Sequence, residues 1–217
     1  MRVLVACEYS GRVRDAFIAN GHEALSVDLL PTDQPGPHFQ GDVFDVIDDG
    51  WDLMVAHPPC TYLTGSGARW LYLPQTPEEA TAGLPKQRDE ARWADLAAGA
   101  EFFRRLGAAR IPRIALENPV MMGHATKLHG LGRATQFVQP WQFGHGETKR
   151  TGLWLKNLPP LVPTNIVEGR EGRIHKLPPS PDRWKLRSTT FQGIADAMGS
   201  QWGALSPLDQ EESPTLF

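Results

Sequence analysis

Apolar positions along the chain follow two rhythms. Val3 to Ala6 is an unbroken apolar run of strand length, and after Ser10-Gly11 the residues Val13, Ala16 and Phe17 recur at helical spacing until Asn20-Gly21 closes the segment. Ala24 to Val27 predicts a second strand ending at Asp28, Gly41-Asp42-Val43 a short third, and Leu53 to Ala56 a fourth. Residues 62–85 read as a long loop of the kind that is usually functional or mobile. Trp93, Leu96, Ala97, Ala100, Phe103 and Leu106 mark one face of a helix from about Lys86 to Leu106. Ile114 to Leu116 predicts a fifth strand ending at Glu117-Asn118-Pro119. Thr135 to Phe143 and Thr151 to Lys156 predict two more, with a hairpin around Gly144-His145-Gly146, and Ile194 to Trp202 a returning helix.

Strands alternating with helices imply an α/β fold: a Rossmann-like, mainly parallel sheet with helices on both faces. A single domain is expected over 1–205. Within it Pro159 to Pro181 reads as irregular, and a disordered tail is expected over 206–217. The chain's 217 residues can bury a substantial core, and 41% hydrophobic with 22% charged residues is the composition of a soluble protein. The first apolar run is too short for a signal peptide and meets Glu8 at once. No run reaches membrane length, so a cytoplasmic location is expected. Two cysteines, Cys7 and Cys60, argue against a disulfide framework, and no Cys or His spacing suggests a metal.

The net charge of -3 hides an uneven distribution. Residues 1–60 hold ten acids against three arginines, whereas residues 142–190 hold nine Lys or Arg against four acids and include Trp154, His175 and Trp184. Such a segment could hold a phosphate backbone or be a solvated surface.

The strand ends carry the chemistry. His57-Pro58-Pro59 is a hard stop for the fourth strand, since proline cannot donate to a sheet ladder, and it leaves Cys60 on a stiffened loop where open α/β sheets handle ligands. Asp28, Asp42 and Glu117 also follow strands. An acid after the second strand, beyond a glycine turn, can hold ribose hydroxyls of an adenosine-bearing cofactor. One glycine at Ser10-Gly11 is few for a pyrophosphate but suits S-adenosylmethionine, which has no phosphate bridge. Cys7 reads as a packing residue near that turn, and His57 and His145 as structural.

With these residues in view, PPCTYLTGSG resembles the catalytic motif of DNA cytosine carbon-5 methyltransferases, Pro-Pro-Cys-Gln-x-Phe-Ser-x-x-Gly. Pro58, Pro59, Cys60 and Gly67 match; Leu63 stands for Phe, Thr64 for Ser, and Thr61 replaces Gln. Glu117 and Asn118 match the family's Glu-Asn-Val motif with Pro119 departing, Gly41-Asp42-Val43 is similar to its Gly-Asp-Ile motif, and FQGIADAM from Phe191 resembles its last motif. The glycine-rich first motif is reduced to Ser10-Gly11. Lys149-Arg150-Thr151 lies where Gln-x-Arg-x-Arg is expected, and residues 157–187 take the place of a large target-recognition region, as in a compact phage-like member.

The resemblance implies a nucleophile, Cys60, adding to carbon 6 of cytosine, with Glu117, Asn118 and Arg150 completing the catalytic set. It implies S-adenosylmethionine held by Glu8, Tyr9, Ser10, Gly11, Asp28, Leu29, Asp42, Val43 and Pro58. It implies a base swung out of double-stranded DNA and met by Pro59, Thr61, Tyr62, Thr64, Arg69 and Lys149, with Trp70 or Tyr72 also available to stack. The same thiolate chemistry on an RNA base or a free nucleotide, and an inactive nucleic-acid-binding relative, remain open at this stage.

Overall fold

In the computed structural model, residues 1–181 and 183–206 are described. The chain opens with β1 (Arg2–Ala6), α1 (Arg12–Ala19), β2 (Glu23–Asp28), β3 (His38–Gln40) and β4 (Leu53–Ala56). It continues through α2 (Pro77–Thr81), α3 (Glu90–Gly107), β5 (Arg113–Pro119), β6 (Gln136–Val138) and β7 (Thr151–Lys156). Three helices follow: α4 (Arg173–Lys176), α5 (Arg183–Ser188) and α6 (Gln192–Ala197), the last running on into a π-helical turn over Met198–Trp202. Among the described residues seven strands form one sheet in the order β3-β2-β1-β4-β5-β7-β6. Only β7 runs against its neighbours.

The expected Rossmann-like sheet with helices on both faces is what forms, and alternation within the buried strands explains why. Val3, Val5, Leu53 and Val55 point to one side and pack with Val13 and Phe17 of α1 and Ile194 of α6. Leu4, Ala6, Met54 and Ala56 point to the other and pack with Leu96, Phe103 and Leu106 of α3. Strands apolar on both faces are characteristic of parallel sheets covered by helices. From β1 the chain proceeds outward to β3, then returns to the other side of β1 as β4. The crevice between β1 and β4 is therefore the topological switch point, at the C-terminal edge where such sheets bind ligands.

Several boundaries differ from the expectation. The third strand is His38–Gln40, not 41–43, because the Asp42 carboxylate accepts from Phe44 N–H at 3.0 Å and caps a 3₁₀ turn over Val43–Asp45. The long helix starts later, at Glu90, where Asp89 supplies the cap through Arg92 N–H, and Ala97 on its expected inner face is exposed. Pro140 ends β6 early in a 3₁₀ turn, so β6 and β7 pair antiparallel across residues 139–150 instead of a tight hairpin. The long loop contains a 3₁₀ turn over Gly65–Leu71 and the short α2, whose start is fixed by a Thr76–Glu79 capping box. Beyond Ser206 the expected tail lies outside the described residues.

Arg14 of α1 is fully buried and organises the loop after β2. Its guanidinium donates to Ser26 Oγ at 3.2 Å, Thr32 Oγ1 at 3.3 Å and the carbonyls of Gln34 and Pro35 at 3.1 and 3.3 Å, and it pairs with Asp15 at 2.8 Å. Gly36 approaches so closely that a Cβ there would meet the Arg14 guanidinium. This fixes the segment next to Asp28. Arg14→Ala would strand these acceptors, and we expect a loss of about 3 kcal/mol in urea denaturation.

Candidate active site

The nucleophile candidate is placed by missing donors. His57 N–H makes the last ladder bond of β4, to Ala6 O at 2.9 Å. Pro58 and Pro59 then have no N–H to continue it. Asn118 Nδ2 donates to Pro58 O at 3.0 Å and pins the loop to β5. Cys60 O accepts from Leu63 and Thr64 at 3.1 and 3.2 Å, so Cys60 opens a turn at the strand end. It is partly exposed, not walled off.

Two adjoining hollows lie along this edge. Cys60 and Glu117 open into the first, together with His57, Lys149, Glu8 and Tyr9. The second is lined by Asp28, Leu29, Asp42, Val43, Gly41 and Phe102. Cys7 and Pro59 belong to both. The second hollow offers carboxylate acceptors at its rim and apolar walls, which suit the hydroxyl, amino and ring surfaces of an adenosine. Among the described residues no cluster of three His, Cys, Asp or Glu could hold a metal. None of the described helices is long and apolar enough to cross a membrane.

Glu117 and His57 form the electrostatic centre of the first hollow. His57 Nδ1 donates to Glu117 Oε2 at 2.8 Å, with side chains only 9% and 11% exposed. Burial works against the charge on Glu117, but the hydrogen bond and charge of His57, with Lys149 and a Thr151 hydroxyl behind them, hold its pKa below the usual carboxylate value. Burial likewise opposes charge on His57, and Glu117 with Glu8 outweighs it and raises that pKa. Burial first, then the Glu117 charge, raises the Cys60 thiol, while Lys149 and Arg187 pull it down. Burial with Asp28 and Asp42 pushes the Cys7 thiol up to about 12.

The remaining expected residues divide. Ser10 and Pro58 line the first hollow. Glu8 does too, but its carboxylate is engaged: it accepts from Ser10 Oγ at 2.9 Å and from the N–H groups of Val13 and Arg14 at the start of α1. Tyr9 OH lies 3.2 Å from Lys185 O and from Ser188 Oγ, tying the cleft wall to α5. Gly11, at φ 73°, shapes the turn without lining either hollow. Arg150, expected in the catalytic set, is turned away: its guanidinium lies over Phe137 at 4.0 Å, and of the two adjacent cations it is Lys149 that lines the cleft, donating to Thr189 O at 3.3 Å. Thr61, Tyr62, Thr64 and Arg69 line neither hollow. Tyr62 lies under Arg92, Arg69 over Trp70, and Thr64 Oγ1 is 3.1 Å from Ser66 Oγ.

Sequence reasoning missed His57, Phe102 and the 187–190 segment. A histidine beside a proline stop carries no spacing signal, and Phe102 neighbours the helix face that periodicity selects. Arg187 to Thr190 return from the C-terminal part of the chain. His145 does take a structural role, accepting from Gly193 N–H at 3.0 Å, where a Cβ on Gly193 would run into the Phe143 carbonyl.

No family model matches the chain, and no curated protein sequence does. Among solved structures it is similar to a prophage-encoded E. coli protein assigned as a DNA modification methyltransferase, at 14% identity over 77% of this chain and 52% of that one, TM-score 0.47. It is similar to the Entamoeba histolytica methyltransferase EhMeth at 10% identity, over 83% and 60% of the two chains, TM-score 0.45. The S. pombe Dnmt2 methyltransferase is matched at 14% identity over 71% and 48%, TM-score 0.40. The chain thus spans about half the length of the structures it matches.

Two tests follow from the electrostatics. With Glu117 acting to hold the thiol protonated, Glu117→Gln should speed iodoacetamide alkylation of Cys60 at pH 7 by about three- to tenfold, read by peptide mass spectrometry. Cys7, held up at about 12, stays unmodified as the internal control. The ion pair also links to stability. Glu117, lowered from 4.5, stabilises the fold above that value and loses the effect as pH falls. His57, raised from 6.5, stabilises below that value and loses the effect as pH rises. The Tm deficit of Glu117→Gln relative to wild type should therefore be greatest between about pH 4.5 and 6.5.

Proposed function

We propose that the protein transfers a methyl group from S-adenosylmethionine to carbon 5 of cytosine in DNA, through a covalent bond to Cys60. The observation that carries this is the opening of Cys60 and Glu117 into one cleft at the switch point, adjoining a second hollow rimmed by Asp28 and Asp42. In this reading Asp28 holds the ribose hydroxyls, Asp42 meets the adenine amino group, and Val43 and Phe102 wall the ring. When bound, the cofactor supplies a methyl carbon as electrophile.

The chain's own residues make the pyrimidine able to take it. Carbon 5 of cytosine is too weak a nucleophile alone, and addition of the Cys60 thiolate at carbon 6 turns the ring into an enamine. Glu117 faces ring nitrogen 3 and the amino group, where charge develops. Lys149 and Arg187 favour the thiolate at the moment of attack, and Asn118 holds the Pro58 carbonyl, so the sulfur keeps its place. A duplex base must leave the stack to reach the cleft, and the exposed Trp70 with Arg69 over it is available to fill the gap.

In parallel incubations of duplex DNA, RNA and free nucleotides with methyl-labelled S-adenosylmethionine, hydrolysis of the DNA to nucleosides should place the label in 5-methylcytosine. Label confined to RNA or free nucleotides would move the target, and no label in any of them would remove the activity. Cys60→Ser should lower turnover at least about 1,000-fold while cofactor affinity changes little. Asp28→Ala should weaken cofactor binding about tenfold by calorimetry, the worth of one or two hydroxyl hydrogen bonds.

A further inference from the structure

His57 lies in the cleft without a task in the reaction set out above. Its Nδ1 is 2.8 Å from Glu117 Oε2, its side chain is nine-tenths buried, and its Nε2 is buried with no hydrogen-bond partner among the described residues. An apolar side chain there would end β4 equally well and avoid burying an unpartnered nitrogen. What the imidazole adds is a second ionisable group on the carboxylate that faces the base. The pair lies at the ends of adjacent parallel strands, β4 and β5, so the ladder between them fixes its spacing.

We propose that His57 is a positioning and proton-storing residue for Glu117: the two side chains carry one proton between them, release it through the Glu117 carboxyl to ring nitrogen 3 as sulfur bonds to carbon 6, and recover it before the adduct collapses. This rests on the methyl-transfer reading of the cleft. The thiol proton of Cys60 leaves to solvent at the open mouth. As the S–C6 bond forms, the C5=C6 π pair moves to C4–C5, and the C4=N3 π pair forms a bond to the proton delivered by the pair, which leaves His57 neutral. Once the C4=C5 pair has bonded the methyl carbon, with the former S–CH3 pair left on the cofactor's sulfur as a neutral thioether, the N3 pair restores C4=N3 and the N3 proton returns to Glu117 and His57. Loss of the carbon 5 proton to water then supplies the electrons for C5=C6 and expels the thiolate.

The charged neighbours fit a stored proton. Glu8, from the turn before α1, favours a charged imidazole and Lys149, from the approach to β7, opposes it. Lys149 and the Thr151 hydroxyl favour the carboxylate from the β7 side, and Cys60, Cys7, Tyr9 and Arg187 line the same hollow. Burial raises Glu117, but the hydrogen bond and charge of His57 outweigh it and hold the carboxyl below its usual value, so the shared proton rests on the imidazole, which is itself raised.

The test compares wild type with His57→Asn, whose amide nitrogen can still donate to Glu117 but stores no proton. Wild type should form 5-methylcytosine. His57→Asn should lower kcat about 10- to 100-fold with KM within about threefold. The alkaline fall of kcat/KM should move toward acid by about one pH unit or more, because the proton is then held by Glu117 alone. A measurement free of turnover is the NMR titration of the His57 ring in the unliganded protein, which should lie above the ordinary histidine value in wild type and drop in Glu117→Gln. A His57→Asn profile that superimposes on wild type after scaling, or a His57 ring that titrates at its ordinary value, overturns the inference while 5-methylcytosine formation leaves the parent function standing. Absence of 5-methylcytosine with wild type removes both.

Discussion

Parallel pairing of β1, β2, β4 and β5 is the constraint on which the working edge depends. Strands that run the same way must end on the same side, so Cys7, Asp28, the His57 to Cys60 loop and Glu117 are collected there by the ladder and not by contacts of their own. The pairing stops sharply beside β1 because two prolines follow His57. A chain able to continue the ladder would have drawn Cys60 into the sheet, and the ring nitrogens of Pro58 and Pro59 are what release it.

That edge concentrates acids, and each is held by a different local partner. Glu8 satisfies the first N–H groups of α1, Asp42 caps a turn, Asp28 accepts from Leu30 N–H at 2.9 Å, and Glu117 is paired with His57. The same distribution separates the two cysteines. Cys7 faces Asp28 and Asp42 and stays a thiol at any ordinary pH, whereas Cys60 faces Lys149 and Arg187 as well as Glu117. Burial first, and then two acids, keep one sulfur a thiol, whereas at the other two cations work against burial and Glu117.

The strands and their polar ends were legible in the sequence because fully buried parallel strands are short, apolar and sharply punctuated; Leu53 to Ala56 before two prolines is such a segment. Pairwise geometry was less legible. Nothing in the spacing of Lys149-Arg150 says which of two adjacent cations turns inward; the ring of Phe137, from the antiparallel partner of β7, takes Arg150 and leaves Lys149 to the cleft. Asp42 was expected at the end of a strand, but its own cap converted that strand into a turn. His57 was hidden for a different reason, since its partner lies on another strand and only the register of β4 on β5 brings them together.

Cys7 has a backbone φ of 57°, a left-handed conformation in which a side chain usually costs about 1 to 2 kcal/mol and glycine costs nothing. It is also one of the two residues, with Pro59, that line both hollows. The backbone tension thus sits at the junction of the two hollows, where a glycine would relieve it but leave no side chain between β1 and the turn that follows.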